Sequence, residues 1–355
     1  MKRIPSLDGL RATSISAVIG GHLAATGAFP FSPRILAILE RIPHLGVRVF
    51  FVISGFLITA LILGERAKTG RFSLGNFYAR RAWRIIPPAY TLVLCLAIAN
   101  LFHLIAIPWL DYLRSLTYLM NYGPIPTWRL GHLWSLSVEE QFYLIWPFLL
   151  FSLPVRWCRY IAVGFILVSA VLRYHLTSQT IEDLWRREYQ FQYAGTALAF
   201  GCILAIDREW LQAQTWFRTL CASSSLTVPF TCAVMLANSL TLRGIGPIGD
   251  CFADVVTNLC IVVLVAKFTS SPVGLAARFL NLKPVIFVGT ISYSLYLWQQ
   301  VFAVPGGHAW VSLFPVNLLL IFLCALGSYY LIEKPALRIR QAFHAERASR
   351  IADCM

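Results

Sequence analysis

The chain has 355 residues, of which 58% are hydrophobic and only 13% charged, and its mean hydropathy is +0.67. A soluble globular domain is about 45–50% apolar and ~25% charged; here the apolar excess runs along the whole chain, which excludes a soluble domain with one anchor and points to a polytopic membrane protein. The formal net charge of +14 lies mostly in short segments between apolar runs, so anionic lipid headgroups account for it and no nucleic-acid partner is required.

A helix needs about 20 apolar residues to cross the hydrocarbon core. Ten candidates are present: 9–29, 46–64, 85–107, 133–153, 158–174, 191–206, 216–239, 251–268, 284–304 and 310–332. The fold class expected is all-α, with about ten transmembrane helices in a single membrane domain, residues 1–340, and a short cytoplasmic tail, 341–355. The sequence contains no internal repeat and no low-complexity tract.

The first candidate reads LDGLRATSISAVIGGHLAATGAF. Lys2 and Arg3 ahead of an apolar run resemble a signal peptide, but Arg11 falls inside the run, so a retained helix is expected. Arg11 and His22 are eleven residues apart, about three turns plus 20°, and share one helix face roughly 16 Å apart along the axis. Arg11 thus belongs near one membrane boundary and His22 deeper in the other half. Asp8 and Arg11 form an i,i+3 pair that neutralises the charge. Gly20 and Gly21 leave room for a close neighbour. An arginine near a helix end also snorkels to headgroups without any function. A histidine deeper in a span reads by default as functional, and neutral imidazole is the usual general base near pH 7.

NFYARRAWRIIPPAY follows the second candidate span. Arg80, Arg81 and Arg84 suit either plain positive-inside topology or a docking site for a phosphate-bearing ligand, which arginine grips bidentately. Pro87 and Pro88 are expected to break the helix there. No Gly-rich P-loop is present, so an ATP-driven motor has no support. The stretch 110–122, LDYLRSLTYLMNY, is too short and polar to span and reads as interfacial or re-entrant.

The densest polar signal in apolar context is LGHLWSLSVEEQFYLIWPFLL. His132 and Glu139 are seven residues apart and Ser135 and Glu139 four apart, so His132, Ser135, Glu139 and Phe142 make one stripe. Gln141 points away from it. A carboxylate at that depth must pair or stay protonated, and a pair with His22 satisfies it and orients the base. An interhelical polar clamp is the structural alternative. The nine cysteines are scattered, with no C-x-x-C and no Cys/His cluster; they read as small packing residues, and no metal site is expected.

Orientation follows from the basic residues. All five lysines, and most arginines, fall on the side shared by the two termini when ten spans are threaded, so both termini are expected in the cytoplasm.

Taken in order, LDGLRATSISAVIGGH, GVRVFFVISGFLIT, FYARRAWRIIPPAY, GHLWSLSVEEQFYLIWP, ISYSLYLWQQ and LIEKP resemble the acyltransferase 3 family of membrane O-acyltransferases, which modify sugars of surface glycans. The resemblance covers nearly the whole chain. It implies a bacterial inner or plasma membrane protein that takes an acyl group, usually acetyl, from cytoplasmic acyl-CoA. The acceptor would be a hydroxyl of a glycan or a glycosylated small molecule at the outer face. On that pattern Arg80, Arg81 and Arg84 hold the coenzyme phosphates and the pantetheine arm reaches toward His22; His22 is then expected to act as the base, Glu139 to orient it or stabilise its charged form, and Arg11 to line the donor path or steady developing negative charge. Asp8, His132, Ser135 and Gln141 support them. The chain departs from the family where relatives often read Leu-Trp-His: here the string is Leu297-Trp298-Gln299, which bears on acceptor handling more than on reaction type. Some relatives carry a fused extracytoplasmic esterase-like domain; without one, action alone or with a separate partner is expected. The rival class is a proton-coupled transporter or flippase, since intramembrane Asp, Arg, His and Glu also mark proton relays.

Overall fold

The structure, a computed structural model, describes residues 4–175, 189–222, 227–241, 247–307 and 309–341. Among the described residues it is helical, with no strand. Helix α1 (Pro5–Ala25) starts on Pro5, whose fixed φ suits a first turn. The short α2 (Pro33–Leu39) leads into α3 (Pro43–Thr69), which Gly70 stops in the left-handed conformation at φ 67°. In α4 (Leu74–Leu101) the Ser73 side chain caps the start by accepting from the Asn76 N–H. Next come α5 (Trp109–Leu116), α6 (Trp128–Gly131), α7 (Leu133–Ser152) and α8 (Val155–His175). The second half holds α9 (Phe191–Ala194), α10 (Thr196–Ile206), α11 (Arg208–Ala213), α12 (Thr215–Ala222) and α13 (Thr227–Thr241). It ends with α14 (Pro247–Ser270), α15 (Leu275–Leu280), α16 (Lys283–Thr290), α17 (Ser292–Phe302) and α18 (Val316–Ser328), the last continuing through a π-helical turn at Tyr329–Glu333.

By length and hydropathy, α3, α4, α8, the Cys251–Ser270 part of α14 and α18 with its continuation are each able to cross a bilayer, and the bent pair α16–α17 makes a sixth. The other expected spans are occupied by helices that are shorter or more polar. Asp8, Arg11 and His22 dilute α1, Glu139, Glu140 and Gln141 dilute α7, and α10 has only 11 residues. Part of the expected 216–239 span, and the tail beyond residue 341, lie outside the described residues.

The outward faces carry apolar side chains at helical spacing. Leu94, Ile98 and Leu101 on α4, and Leu144, Phe148 and Phe151 on α7, are all exposed. In water such stripes would seek cover; in lipid they are already solvated. Polar residues are buried within the apolar core as well: Asn258, Ser294, Gln299 and Asn317 have no exposure at all. The protein is an all-α polytopic membrane protein.

Helix α1 is the axis of the packing and touches α3, α15, α16 and α17. Where α1 crosses α16, a Cβ on Gly289 would run into the Asp8 carbonyl, so the two backbones meet directly. Likewise α3 and α10 cross at Gly55 and Gly201, each facing the other helix's carbonyls.

Two expectations need correction. Pro87 and Pro88 do not break the helix: α4 runs through both. The prolines cannot donate to the carbonyls four residues back, but the surroundings hold the helix, with Thr91 Oγ1 donating to the Pro87 carbonyl and Tyr293 donating to the Ile85 carbonyl, both at 2.8 Å. The span expected at 284–304 is helical but bent by 70° between α16 and α17. Irregular backbone at that depth is tolerated where it lines a cavity, and this one does. The 110–122 segment holds the short α5, as its polarity suggested, tied down by the buried Asp111–Arg114 pair at 3.4 Å.

Candidate active site

The broken helix and α1 frame two cavities. One, of about 100 Å³, is lined by three guanidinium groups: Arg11 from α1 and Arg81 and Arg84 from α4. Ser54 of α3, Ser135 and Glu139 of α7, and Ser292 and Tyr293 of α17 complete its polar wall. The other, of about 540 Å³, contains His22 near the far end of α1 and His132 just before α7. Trp128, Trp134 and Tyr189 give this second cavity aromatic walls, and Glu40 and His44 sit at its edge. Val47 and Tyr296 line both cavities, so the two abut.

The eleven-residue spacing on α1 therefore places Arg11 in one chamber and His22 in the other. Asp8 lies 3.6 Å from Arg11, as the i,i+3 spacing predicted. The stripe on α7 runs the opposite way. His132 stands level with His22, both reaching the same Gln300 side chain, at 3.2 Å and 3.4 Å. Glu139, about two turns further on, lies level with Arg11. The expected His22–Glu139 pair is thus absent. Glu139 accepts from Ser54 Oγ at 2.8 Å and faces Arg81 at 3.9 Å. Same-face spacing on each helix is right; the relative depth of two antiparallel helices is not encoded in either spacing.

The arginines divide. Arg81 Cζ lies over the Tyr143 ring, 3.3 Å from its centroid, and the guanidinium is 3.9 Å from both Glu139 and Glu140. Its Nε is buried without a hydrogen-bond partner. Arg84 is 3.9 Å from the buried Glu333 of the π-helical turn. Arg80 points away from the cavity and pairs with Glu65 at 3.2 Å. Gln141 also stands outside: its amide exchanges hydrogen bonds with Asn121 and donates to the Tyr118 carbonyl, pinning the loop after α5.

Between the chambers, the Tyr296 hydroxyl meets Ser135 Oγ at 2.6 Å and donates to the His132 carbonyl at 2.8 Å. His22 Nδ1 is 2.5 Å from Gln299 Oε1, and the edge of Trp128 holds the imidazole at a centroid distance of 5.2 Å. Tyr296, Gln299 and Gln300 escaped notice as a set in the sequence. The signal was present in ISYSLYLWQQ: Tyr293, Tyr296 and Gln300 recur at helical spacing on one face. Among the described residues no group of three or more His, Cys, Asp or Glu is placed to hold a metal ion.

The arrangement joins a cationic pocket to an imidazole-bearing pocket through a thin wall. Such a site suits the meeting of an anionic donor and a hydroxylic acceptor. The chain is 29% identical over 385 residues to the peptidoglycan O-acetyltransferase OatA of Listeria monocytogenes, covering 94% of this chain and 56% of that protein. It is 30% identical over 370 residues to the O-acetyltransferase OatA of Staphylococcus aureus, covering 94% and 57%. The chain thus spans a little over half the length of these relatives. No solved structure matches it. The acyltransferase 3 profile, described as an acyltransferase domain, matches residues 4–333, and the chain belongs to that family of acyltransferases.

Proposed function

We propose that the chain is a membrane O-acetyltransferase that moves an acetyl group from a coenzyme A thioester to a hydroxyl of a glycan. The observation that carries this is the abutment of the two cavities at Val47 and Tyr296. The guanidinium-lined chamber, with Arg81 Nε unpartnered, suits the phosphates of the donor. The larger, aromatic-walled chamber suits a sugar. His22 takes the proton of the acceptor hydroxyl as its oxygen attacks the thioester carbonyl carbon. The carbon–sulfur bond breaks, and the proton passes to the departing thiolate, giving the acetyl ester and free coenzyme A. Arg11, neutralised by Asp8, lines the donor path, and Glu139 holds Arg81 beside it. Ser135 and Tyr296 seal the junction.

In this reading ten helices span a bacterial plasma membrane with both termini cytoplasmic, the arginine chamber faces the cytoplasm, and the acceptor enters from outside. The relatives' substrate makes peptidoglycan fragments the first acceptor to try. Family membership sets aside the transporter and flippase alternative. The test is release of coenzyme A from acetyl-CoA by protein in nanodiscs, with and without glycan. Wild type should release it only with acceptor, and His22→Ala should lose at least about 10²-fold, the range that acid–base help supplies. Equal activity of the two proteins would overturn the role of His22.

A further inference from the structure

We infer that Gln299 and Gln300 lock His22 in the tautomer that carries its proton on Nδ1, leaving Nε2 as the atom that accepts a proton, and that Gln299 is a positioning residue for the reaction. This rests on the reading of His22 as the base.

The backbone N–H of His132 can only donate, and it donates to Gln300 Oε1 at 3.1 Å. That fixes which end of the Gln300 carboxamide is oxygen, an assignment a carboxamide's shape alone does not supply. The amide nitrogen therefore faces His22, with Nε2 of Gln300 3.4 Å from Nε2 of His22. An N–H meets a ring nitrogen favourably only where that nitrogen holds a lone pair. His22 must then carry its proton on Nδ1, which donates to Gln299 Oε1 at 2.5 Å. The opposite tautomer would set N–H against N–H at Gln300, or lone pair against lone pair at Gln299.

The geometry also separates the two contacts by strength. The Nδ1 contact is short and the Nε2 contact long, so a substrate hydroxyl displaces the second far more readily than the first. Gln299 has no exposure, and its own Nε2 is buried without a partner. Trp128, anchored by Nε1 donating to the Ala303 carbonyl at 2.8 Å, blocks rotation of the imidazole. A general base held by a third group is the recurring logic of acyl-transfer sites; here a neutral carboxamide fills the place that a carboxylate was expected to take. The titratable groups around His22 are His132, reached through Gln300, and Glu40, His44, Tyr189 and Tyr296 on the walls of the same cavity.

The experiment has two arms. In the first, ¹⁵N spectra of histidine-labelled protein in nanodiscs are compared with those of His22→Asn, which identifies the His22 signals. The expected result is a protonated Nδ1 and a bare Nε2 in wild type, with a mixture of tautomers in Gln299→Leu. A protonated Nε2 in wild type overturns the inference. This arm needs no turnover, so it is decided even if the acetyl-transfer reading fails. In the second arm, coenzyme A release is measured against pH. Gln299→Leu should lose about 10²-fold in kcat with KM for acetyl-CoA unchanged. Gln299→Glu keeps the acceptor atom and adds a charge, so it should retain activity and move the acid limb of the kcat profile to higher pH. An unmoved limb, or full kcat in Gln299→Leu, overturns the inference. If Gln299→Leu does not fold, the wild-type spectrum and the Gln299→Glu limb decide it.

Discussion

Arg80, Arg81 and Arg84 fall within five residues yet stand in three different surroundings. Arg80 is 39% exposed and forms a surface pair with Glu65, of a kind worth about 0–1 kcal/mol. Arg81 and Arg84 line the cationic chamber. Arg81 faces two carboxylates and Arg84 one, all at 3.9 Å, beyond direct hydrogen-bonding distance, so these contacts leave their donors available to an anionic ligand. Titration of donor saturation should separate them. Arg81→Gln and Arg84→Gln should each raise KM for acetyl-CoA at least about tenfold, the loss of one charge-assisted hydrogen bond of ~1.5–3 kcal/mol. Arg80→Gln should change it less than about threefold. If Arg80→Gln proves the most damaging of the three, the chamber is not the donor site.

At the scale of the helices, close crossings decide where these side chains stand. A side chain on Gly55 would enter the carbonyl of Leu198, so Gly55→Val should cost about 1–3 kcal/mol through overpacking and lower the melting temperature in detergent. Gly64, on the same helix, faces open space; Gly64→Ala should leave the melting temperature unchanged or raise it, since alanine is the better helix former by up to about 1 kcal/mol. Equal melting of both variants would mean that α3 and α10 do not cross as described. Much of the site was legible beforehand. The faces of α1 and α7 follow from spacing alone, and so does the Asp8–Arg11 pair. What spacing does not carry is how far one helix is shifted along another, and that shift gave Glu139 to Arg81 and Ser54 instead of to His22. The bend at Ile291 was hidden for a related reason: it lies between the contact of Gly289 with the α1 backbone and the cavity lined by Ser292 and Tyr293, both set by partners distant in sequence. Pro87 and Pro88 misled because one of the hydroxyls bonded to α4 around them comes from Tyr293, more than two hundred residues away. Gln299 was visible as a departure from the family pattern, but its meaning required His22 beside it.

For the whole molecule, the distribution of lysine and arginine predicts the sidedness. A fluorescent protein fused to the C-terminus should fold and fluoresce in bacterial cells, and alkaline phosphatase fused there should stay inactive, since the proposed topology puts both termini on the basic, cytoplasmic side. An active phosphatase fusion would reverse the two chambers and with them the assignment of donor and acceptor. The shared wall at Val47 and Tyr296 has a further consequence for the cell. On the proposed mechanism the acceptor oxygen meets the thioester carbonyl at this junction, so only the acetyl group changes sides, while the coenzyme would leave by one chamber and the ester product by the other. An enzyme working in this way would need no continuous water path across the membrane, and its turnover would leave the ion gradients on which the cell runs undrained.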